Sequence, residues 1–375
     1  MEQQFIDQAV AHYRALLESQ VQRAKRMKQA QEAREKREKI TIGTAGGDGI
    51  GPIITRQAQR ALEALLREEI AAGKIELREI QGLTLKDRMA AGQAVPTETL
   101  AQIKACDVLL KGPTTTPSGG AMESANVTLR RELDLFANVR PVSVPEKGVD
   151  WTFFRENTEG EYALGSKGVE LPGLLTMDFK VTTVAGTRRI ARAAFEFARQ
   201  NGKKHLAIVT KSNIMKKTDG MFSALCHEMA KEYPEIETEE YYIDIMTANL
   251  VNEAVRKKFQ VFLLPNLYGD ILTDEAAQLQ GGVGTAGSAN LGDRYAMFEA
   301  IHGSAPRMME SGLGDYANPE SILRAAVMLL RHIGLAEKAQ RLSHAIDQAA
   351  LLPMTGDANG ATCAQFGDAV LQKLG

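Results

Sequence analysis

The sequence predicts an α/β fold with a largely parallel β-sheet, and three observations support this class. Short apolar runs typical of strands recur along the chain, and helical patterns lie between most of them. Alternation of this kind is typical of parallel strands that are joined by helical crossovers. The chain has 375 residues, 44% of them hydrophobic and 25% charged. This is enough for a substantial core in two domains or in one large elaborated unit.

The first part of the chain predicts a single helix that stands outside this alternation. Residues 1–39 contain no glycine and no proline, and apolar residues in their first half follow helical spacing. These residues are Phe5, Ile6, Ala9, Val10, Tyr13, Leu16 and Leu17. Acidic residues throughout the segment argue against a mitochondrial transit peptide. We expect the helix to dock on its own chain or on another subunit; a basic arm for nucleic acid is the alternative.

The body of the chain begins with a strand candidate at residues 40–43, followed by the glycine-rich turn 47–52. Pro52 is well placed in the first turn of a helix that follows. The other strand candidates are residues 75–80, 107–111, 133–139, 151–155, 205–210, 239–243 and 261–264. The helical patterns include residues 187–200, 215–232, 247–258, 275–279, 319–333, 335–350 and 363–374. The chain therefore closes with a helical layer.

Composition excludes several classes of function. The formal net charge of −2 gives no general reason to expect nucleic acid or an anionic membrane as a partner. Cys106, Cys226 and Cys363 are too few and too scattered for a disulfide framework or a zinc site, so we expect reduced thiols in the cytoplasm. The sequence has no apolar run near the roughly 20 residues that a membrane span needs.

Two glycine clusters resemble dinucleotide loops without matching their context. In residues 47–52, Pro52 occupies the place of the third glycine, and Asp48 would repel a phosphate. Residues 282–287 match the G-x-G-x-x-G spacing but follow a helical pattern instead of a strand. Neither cluster supports a Rossmann fold. Both could line a cofactor cleft, because glycine lets the backbone approach a ligand closely.

A cationic segment, residues 124–140, provides the first candidate site. Arg130 and Arg140 lie too far apart for one helix face, so they would have to converge through the fold. A guanidinium matches a carboxylate two hydrogen bonds at a time, and Ser124 and Asn126 would add neutral hydrogen bonds. Arg155 downstream extends the set. The alternative for the segment alone is a solvated charged surface.

Acidic residues provide the second candidate site. Asp270 and Asp274 lie four residues apart, so a helix would place both carboxylates on one face. Such a pair suits Mg²⁺ or Mn²⁺, with Asp244 as a possible third ligand; stabilisation of a helix N-terminus is the alternative. Lys211 is a candidate base if a metal and arginines lie nearby, and an ordinary surface lysine otherwise.

Together these segments resemble the decarboxylating β-hydroxyacid dehydrogenases, the isocitrate and isopropylmalate dehydrogenase family. The resemblance extends from about residue 40 to the C-terminus and leaves the N-terminal helix outside. It is specific because several long motifs occur in the right order. These motifs are residues 47–52, 124–140, 155–162, 211–216, 266–274, 281–287 and 298–306.

The resemblance implies a two-domain, non-Rossmann α/β fold with an extra N-terminal helical extension, residues 1–39. A large domain would comprise residues 40–135 and 281–375, and a small domain residues 136–280. Within the small domain, a segment at about residues 160–184 would form the dimer. Members of this family place their active sites between domains and borrow residues from a second subunit. We therefore expect a homodimer or a higher homo-oligomer.

Residue roles follow from the same resemblance. Arg130, Arg140 and Arg155 would bind substrate carboxylates, with Ser124 and Asn126 contacting the carboxylate that distinguishes substrates. Asp270 and Asp274, with Asp244 from the partner subunit, would hold Mg²⁺ or Mn²⁺, and Tyr162 with the partner's Lys211 would be the acid–base pair. The coenzyme would contact Asn213, Glu299, His302, Gly303, Ser304, Ala305, Pro306, Arg307 and Asn359.

Isocitrate is the expected substrate, in the reaction of the tricarboxylic acid cycle that yields 2-oxoglutarate and CO₂. Isopropylmalate enzymes tend to carry apolar residues at the positions of Ser124 and Asn126. Facing an isopropyl group, each polar side chain would lose hydrogen bonds worth about 1–3 kcal/mol. Homoisocitrate and 3-isopropylmalate remain alternatives. An alternative of another class is a non-catalytic regulatory subunit of a heteromeric isocitrate dehydrogenase, although such subunits usually lack some of these residues.

The coenzyme is expected to be NAD, with NADP as the alternative. NAD-using relatives carry an aspartate directly after the 302–306 motif, where this sequence has Arg307. NADP-using bacterial relatives carry Lys-Tyr there, and a later tyrosine and arginine that are missing from residues 355–360. Asp357 would repel the 2′-phosphate of NADP, whereas Arg307 would attract it.

Overall fold

The computed structural model describes residues 2–27, 39–117, 122–165 and 167–374. By their internal contacts these residues form two compact units. The large unit comprises residues 39–150 and 273–374, and the small unit comprises residues 2–27 and 151–272. The sequence places the first boundary before residue 136. That domain division stays a prediction; by contacts, residues 137–144 form a strand that pairs within the large unit.

Strands and helices alternate along the described chain, which confirms the α/β class. The strands are β1 (Ile40–Ala45), β2 (Ile75–Glu79), β3 (Val108–Lys111), β4 (Ala137–Val144), β5 (Val149–Glu156), β6 (Val169–Leu171), β7 (Leu175–Met177), β8 (His205–Thr210), β9 (Glu237–Tyr242), β10 (Val261–Leu264), β11 (Gly287–Leu291) and β12 (Ala296–Ala300). The helices are α1 (Glu2–Met27), α2 (Gly51–Leu65), α3 (Arg67–Ala71), α4 (Leu85–Ala91), α5 (Thr97–Lys104), α6 (Ala125–Glu132), α7 (Val184–Gln200), α8 (Thr218–Ala230), α9 (Ile243–Val251), α10 (Asn266–Leu279), α11 (Pro306–Glu310), α12 (Glu320–His332), α13 (Ala336–Ala349) and α14 (Cys363–Leu374). Among the described helices, none has both the length and the apolar character that crossing a bilayer requires.

The sheet of the large unit has the strand order β2-β1-β3-β12-β11-β4. The first four strands pair in parallel, whereas β11 is antiparallel to both of its neighbours. Helix α12 packs on β11 and β12, and α13 and α14 continue the layer to α2. Close packing explains the glycine at the start of β11, because a Cβ on Gly287 would lie 2.4 Å from the backbone nitrogen of Ala325. The helical layer expected at the end of the chain is therefore present.

The small unit contains four parallel strands in the order β5-β10-β8-β9. Its core is aromatic: the rings of Phe153 and Phe262 stack with centroids 4.3 Å apart, and Trp151 meets Phe262 edge-on. Helices α7 and α8 pack against each other, and β6 and β7 form a separate antiparallel pair.

Helix α1 docks on the small unit through one face. Leu16 is buried, the Tyr13 ring lies 5.3 Å from that of Phe179, and His12 Nε2 lies 2.9 Å from the carbonyl oxygen of Lys167. This confirms the expected helix and its docking on its own chain. The part of the predicted helix at residues 28–38 lies outside the described residues.

Several predicted element boundaries were wrong, and two of them have a clear local reason. The strand expected at residues 133–139 begins only at residue 137, because Asp134 takes a left-handed conformation (φ 48°) after α6. The helix expected at residues 247–258 is α9, which ends where Asn252 becomes extended, followed by a short 3₁₀ turn at Arg256–Lys258. The sequence also gave no signal for β11 and β12, whose small and polar residues hide their burial.

Candidate active site

In the large unit, one buried carboxylate holds two buried cations. Glu299 on β12 lies 3.2 Å from Lys111 Nζ, at the end of β3, and 3.2 Å from Arg130 Nη2, near the end of α6. Asn290 Nδ2 donates a third hydrogen bond to Glu299, at 2.8 Å. Burial opposes ionisation of Glu299, but the charges of Lys111 and Arg130 hold its pKa at about 2. Because two cations face one carboxylate, the cluster favours a further anion.

Two observations indicate where that anion would bind. Arg130 Nε is buried and has no hydrogen-bond partner among the described residues. At the start of α6, Ser124 is the N-cap residue, yet its hydroxyl does not cap the helix. The carboxamide oxygen of Asn126 accepts a hydrogen bond of 3.2 Å from the Thr114 hydroxyl. Ser124 and Asn126 thus lie at the start of α6 and Arg130 near its end, and their convergence on one ligand stays a prediction.

Arg140 forms a second cationic position in the large unit. Its β4 side chain is 7% exposed, and Nη1 donates to the Thr273 hydroxyl at 2.6 Å and to Asp274 Oδ1 at 3.1 Å. Asp274 is 60% exposed, so its carboxylate keeps room for a further ligand. The sequence did not identify Thr273, a buried residue whose hydroxyl accepts this hydrogen bond from the guanidinium.

In the small unit, Arg155 is the penultimate residue of β5, and its side chain is almost completely buried. Its Nε and Nη2 both donate to Asn266 Oδ1, at 2.9 and 2.7 Å, and its Nη1 pairs with Asp270 Oδ1. Gly269 permits this geometry, because a Cβ there would lie 2.6 Å from Cβ and Cγ of Arg155. A side chain at position 269 would therefore push the arginine stem away from α10.

The same Asp270 carboxylate also orients Tyr162. The tyrosine hydroxyl donates to Asp270 Oδ2 at 2.8 Å, and the Arg155 guanidinium lies 5.3 Å from the tyrosine ring centroid. A predicted carboxylate-binding residue, a predicted metal ligand and the predicted acid therefore meet at one carboxylate.

Lys211 and Asp244 form a separate pair in the small unit. Lys211 Nζ lies 2.6 Å from Asp244 Oδ1, and this hydrogen bond lowers the pKa of the Asp244 carboxyl. Lys211 follows β8 and Asp244 lies in the first turn of α9, so adjacent parallel strands β8 and β9 bring them together. Exposed apolar residues flank both members of the pair, namely Ile214, Met215, Tyr242 and Ile245.

Most predicted coenzyme residues of the large unit belong to the loop at 302–306 or lie next to it in sequence. His302 Nε2 is buried without a hydrogen-bond partner among the described residues, and Ala305 takes a left-handed conformation with φ 48°. A Cβ on Gly303 would meet nothing within 4 Å, so the loop has open space at this point. Arg307 and Asn359 are exposed, as is Asn213 in the small unit.

The glycine-rich turn 47–52 contacts this loop and holds its backbone in place. Ser304 accepts a backbone hydrogen bond of 3.1 Å from Ile50, and Gly49 (φ 57°) has no room for a Cβ beside the Ser304 carbonyl oxygen. Asp48 accepts hydrogen bonds from the backbone of Leu85 and Thr115. Asp48 is thus an organising residue of the turn, a role that its sequence context did not indicate.

The described residues of one chain contain no group of three histidine, cysteine or acidic side chains placed to hold a metal ion. The proposed ligands are Asp270 and Asp274, one turn apart on α10, and Asp244. All three offer carboxylate oxygens, which hard divalent cations prefer, and each side chain is at least 39% exposed. The chemistry of the donors therefore fits Mg²⁺ or Mn²⁺.

Comparisons with known proteins bear on these sites. The family model for isocitrate/isopropylmalate dehydrogenase matches residues 41–370. An isocitrate dehydrogenase [NADP] from Rickettsia felis is 41% identical over 310 residues, which is 80% of this chain and 61% of that protein. A probable isocitrate dehydrogenase [NAD] subunit alpha, mitochondrial, from Caenorhabditis elegans is 39% identical over 85% of this chain and 88% of its own length.

A solved structure shows the same fold. The crystal structure of isocitrate dehydrogenase from Methylococcus capsulatus matches with a TM-score of 0.80 at 34% sequence identity, covering 89% of this chain and 99% of that one. The described helix α1 precedes the family match, which begins at residue 41.

Proposed function

Because this chain belongs to the isocitrate/isopropylmalate dehydrogenase family, we propose that it catalyses the metal-dependent oxidative decarboxylation of isocitrate to 2-oxoglutarate and CO₂. One observation supports this most directly. The Asp270 carboxylate accepts hydrogen bonds from both Arg155 and Tyr162. A carboxylate-binding group, a metal ligand and a proton donor are the parts that such a reaction needs near the two reacting carbon atoms.

Substrate charge and polarity favour isocitrate within the family. Arg130 and Arg140 are nearly buried cations, and Arg130 Nε is buried without a hydrogen-bond partner among the described residues. Such sites suit a substrate with a charge near −3. Ser124 and Asn126 present polar groups that would hydrogen-bond a third carboxylate, whereas the isopropyl group of isopropylmalate would leave them without partners.

The catalytic roles follow from where protons must move. When bound, Mg²⁺ or Mn²⁺ would act as a Lewis acid on the substrate hydroxyl, and NAD would accept the hydride. Lys211 would take the hydroxyl proton as the hydride leaves the same carbon. The ketone formed is β to a carboxylate, so the carbon–carbon bond breaks and CO₂ departs with its electron pair left on the substrate. Tyr162 would then protonate the carbon that lost CO₂, and Asp270 would keep the tyrosine hydroxyl oriented.

For the coenzyme we favour NAD over NADP. Asp357 accepts hydrogen bonds from the Thr355 hydroxyl at 2.8 Å and from the Asn359 backbone at 2.9 Å. These hydrogen bonds hold the pKa of Asp357 below its usual range, so a negative charge stays fixed in this loop. That charge would oppose a 2′-phosphate, although exposed Arg307 would attract one.

We further propose that the chain works as a cytoplasmic homodimer, or a larger assembly of dimers, with Lys211 and Asp244 reaching the partner's site. The exposed apolar residues around this pair, Ile214, Tyr242 and Ile245 among them, support an interface there. The three cysteines are buried free thiols, which suits a reducing compartment.

Initial-rate kinetics of the purified chain test the proposal. Isocitrate, homoisocitrate and 3-isopropylmalate are each supplied with NAD and with NADP in the presence of Mg²⁺. We expect the highest kcat/KM with isocitrate and NAD. A preference for isopropylmalate would contradict the substrate assignment. No turnover of the chain alone, with activity restored by a second, different subunit, would favour a regulatory subunit.

A further inference from the structure

Lys180 lies outside every motif that indicates catalysis, yet its ammonium group is almost buried. It follows the β6–β7 pair in the small unit, and its side chain is 7% exposed. Its neighbour Val181 exchanges two backbone hydrogen bonds with Gly160, at 2.8 and 3.1 Å. The backbone of Lys180 is therefore fixed beside the segment that carries Tyr162.

The ammonium group of Lys180 contacts three different segments. Its Nζ lies 2.6 Å from Asp219 Oδ1 and 3.3 Å from Glu161 Oε1. It also lies 3.4 Å from the Tyr268 hydroxyl and 4.4 Å from the centroid of that ring. A buried lysine with two anions and an aromatic face around it is held far more firmly than a surface lysine.

Each contact lies next to a residue of the proposed mechanism. Glu161 directly precedes Tyr162. Tyr268 lies on α10, two residues before Asp270. Asp219 is fully buried in the first turn of α8, and its other oxygen accepts a hydrogen bond of 2.8 Å from the backbone nitrogen of Lys211.

Electrostatic interactions keep Lys180 charged at its buried position. Burial by itself would lower the pKa of Lys180, but its hydrogen bond to Asp219 and the charges of Asp219 and Glu161 raise it, so the ammonium stays charged. Removing that charge would leave Asp219 buried with no cation beside it. Loss of the Lys180 charge would strongly destabilise the buried Asp219 carboxylate, so that side chain would rotate or water would enter beside it.

We propose that Lys180 is a positioning residue for the catalytic groups: its ammonium fixes the Tyr162, Lys211 and Asp270 segments relative to one another. This inference rests on the proposed function for the roles of those three residues. The geometry of the cluster does not depend on the proposed function and can be tested without any substrate.

The first test compares Lys180→Gln with Lys180→Arg and with Lys231→Gln, a control at an exposed lysine of the same unit. We expect Lys180→Gln to lower kcat by about 10- to 100-fold, because small displacements of reacting groups are costly. KM for isocitrate should stay within about threefold, since Lys180 touches no proposed substrate group. Lys180→Arg should recover most of the loss, and the control should match the wild type. Unchanged kcat in a folded Lys180→Gln variant, or a loss that arginine does not recover, would overturn the proposal.

The second test is independent of catalysis. Hydrogen exchange measured by mass spectrometry should show faster exchange in Lys180→Gln for peptides covering residues 158–165 and 209–219, with β10 protected as in the wild type. Equal exchange in these peptides would overturn the proposal even if the wild type does not act on isocitrate. If Lys180→Gln does not fold, the double variant Lys180→Gln/Asp219→Asn replaces both buried charges of this ion pair. A folded double variant with wild-type kcat and wild-type exchange would overturn it too.

Discussion

At the scale of single residues, two carboxylates of the proposed site each organise more than one partner. Glu299 holds Lys111 and Arg130, and Asp270 holds Arg155 and Tyr162. Glu299 keeps its two cations in place while their charges lower its pKa, and Asp270 keeps the buried Arg155 guanidinium and the Tyr162 hydroxyl in place. Replacing any of these acids should therefore disturb several functions at once.

Asp270→Asn should lower kcat by about 10²- to 10³-fold and raise the Mg²⁺ concentration needed for half-maximal rate. The substitution removes an anionic ligand and the charge partner of buried Arg155. Rates measured across a Mg²⁺ titration check this, with exposed Asp7→Asn on α1 as the control. Unchanged activity at limiting Mg²⁺ would contradict the assignment of Asp270 as a ligand.

Glu159 gives a prediction for pH. Burial, and next the charge of Glu156, raise its pKa to about 7, although Arg23 and the hydrogen bonds from Thr183 oppose this. A raised pKa means that the protonated form is the more stable one in the folded state. The stabilisation of the folded state that depends on protonated Glu159 is complete below about pH 4.5. It is lost as the pH rises through about 7.

Glu159→Gln should therefore be more stable than the wild type at pH 8, by on the order of 3 kcal/mol. The difference should shrink as the pH falls toward 5, because Glu159 itself becomes neutral. Urea unfolding at several pH values measures this, with exposed Glu170→Gln as the control. A difference between Glu159→Gln and the wild type that is constant from pH 5 to 8 would contradict the titration of Glu159.

At the scale of elements, buried strands with strong apolar patterns were predictable and polar ones were not. The strands β8 and β10 were predicted with their observed bounds, because their four to six residues are apolar and flanked by polar turns. Strand β11 reads Gly-Ser-Ala-Asn-Leu, so only its pairing with β4 and β12 reveals it. Tertiary packing decides such strands.

The same distinction applies to the candidate site. Motif residues such as Arg155 and Asp270 were identifiable because spacing and residue type carried the signal. Supporting residues such as Thr273, Asn266 and Lys180 were not, since their roles arise from contacts between segments far apart in sequence. Long-range contacts leave no local pattern.

Helix α1 allows a matched test of docking, because adjacent leucines differ in burial. Leu16 is 8% exposed and Leu17 is 50% exposed. Leu16→Ala should lower the free energy of unfolding by about 2–3 kcal/mol, whereas Leu17→Ala should change it by less than about 0.5 kcal/mol. Thermal and urea unfolding measure both variants. Equal losses would show that α1 does not dock through the face of Leu16.

At the scale of the whole molecule, the proposed sharing of active sites between subunits predicts complementation between inactive variants. Tyr162→Phe and Lys211→Met should each be inactive as pure proteins. A hybrid dimer would contain one site with both wild-type groups if Lys211 serves the partner's site. Unfolding and refolding an equal mixture should then restore roughly a quarter of the wild-type rate. No recovery, with hybrids present by native mass spectrometry, would place both residues in the site of one chain.

The most direct test of the central claim is the stoichiometry of the reaction. Purified chain is incubated with isocitrate, NAD and Mg²⁺, and CO₂, 2-oxoglutarate and reduced coenzyme are quantified together with the isocitrate consumed. We expect each product in equal amounts to the isocitrate lost, and none when EDTA removes the metal. Reduced coenzyme without CO₂, or the same yield with EDTA, would contradict a metal-dependent oxidative decarboxylation.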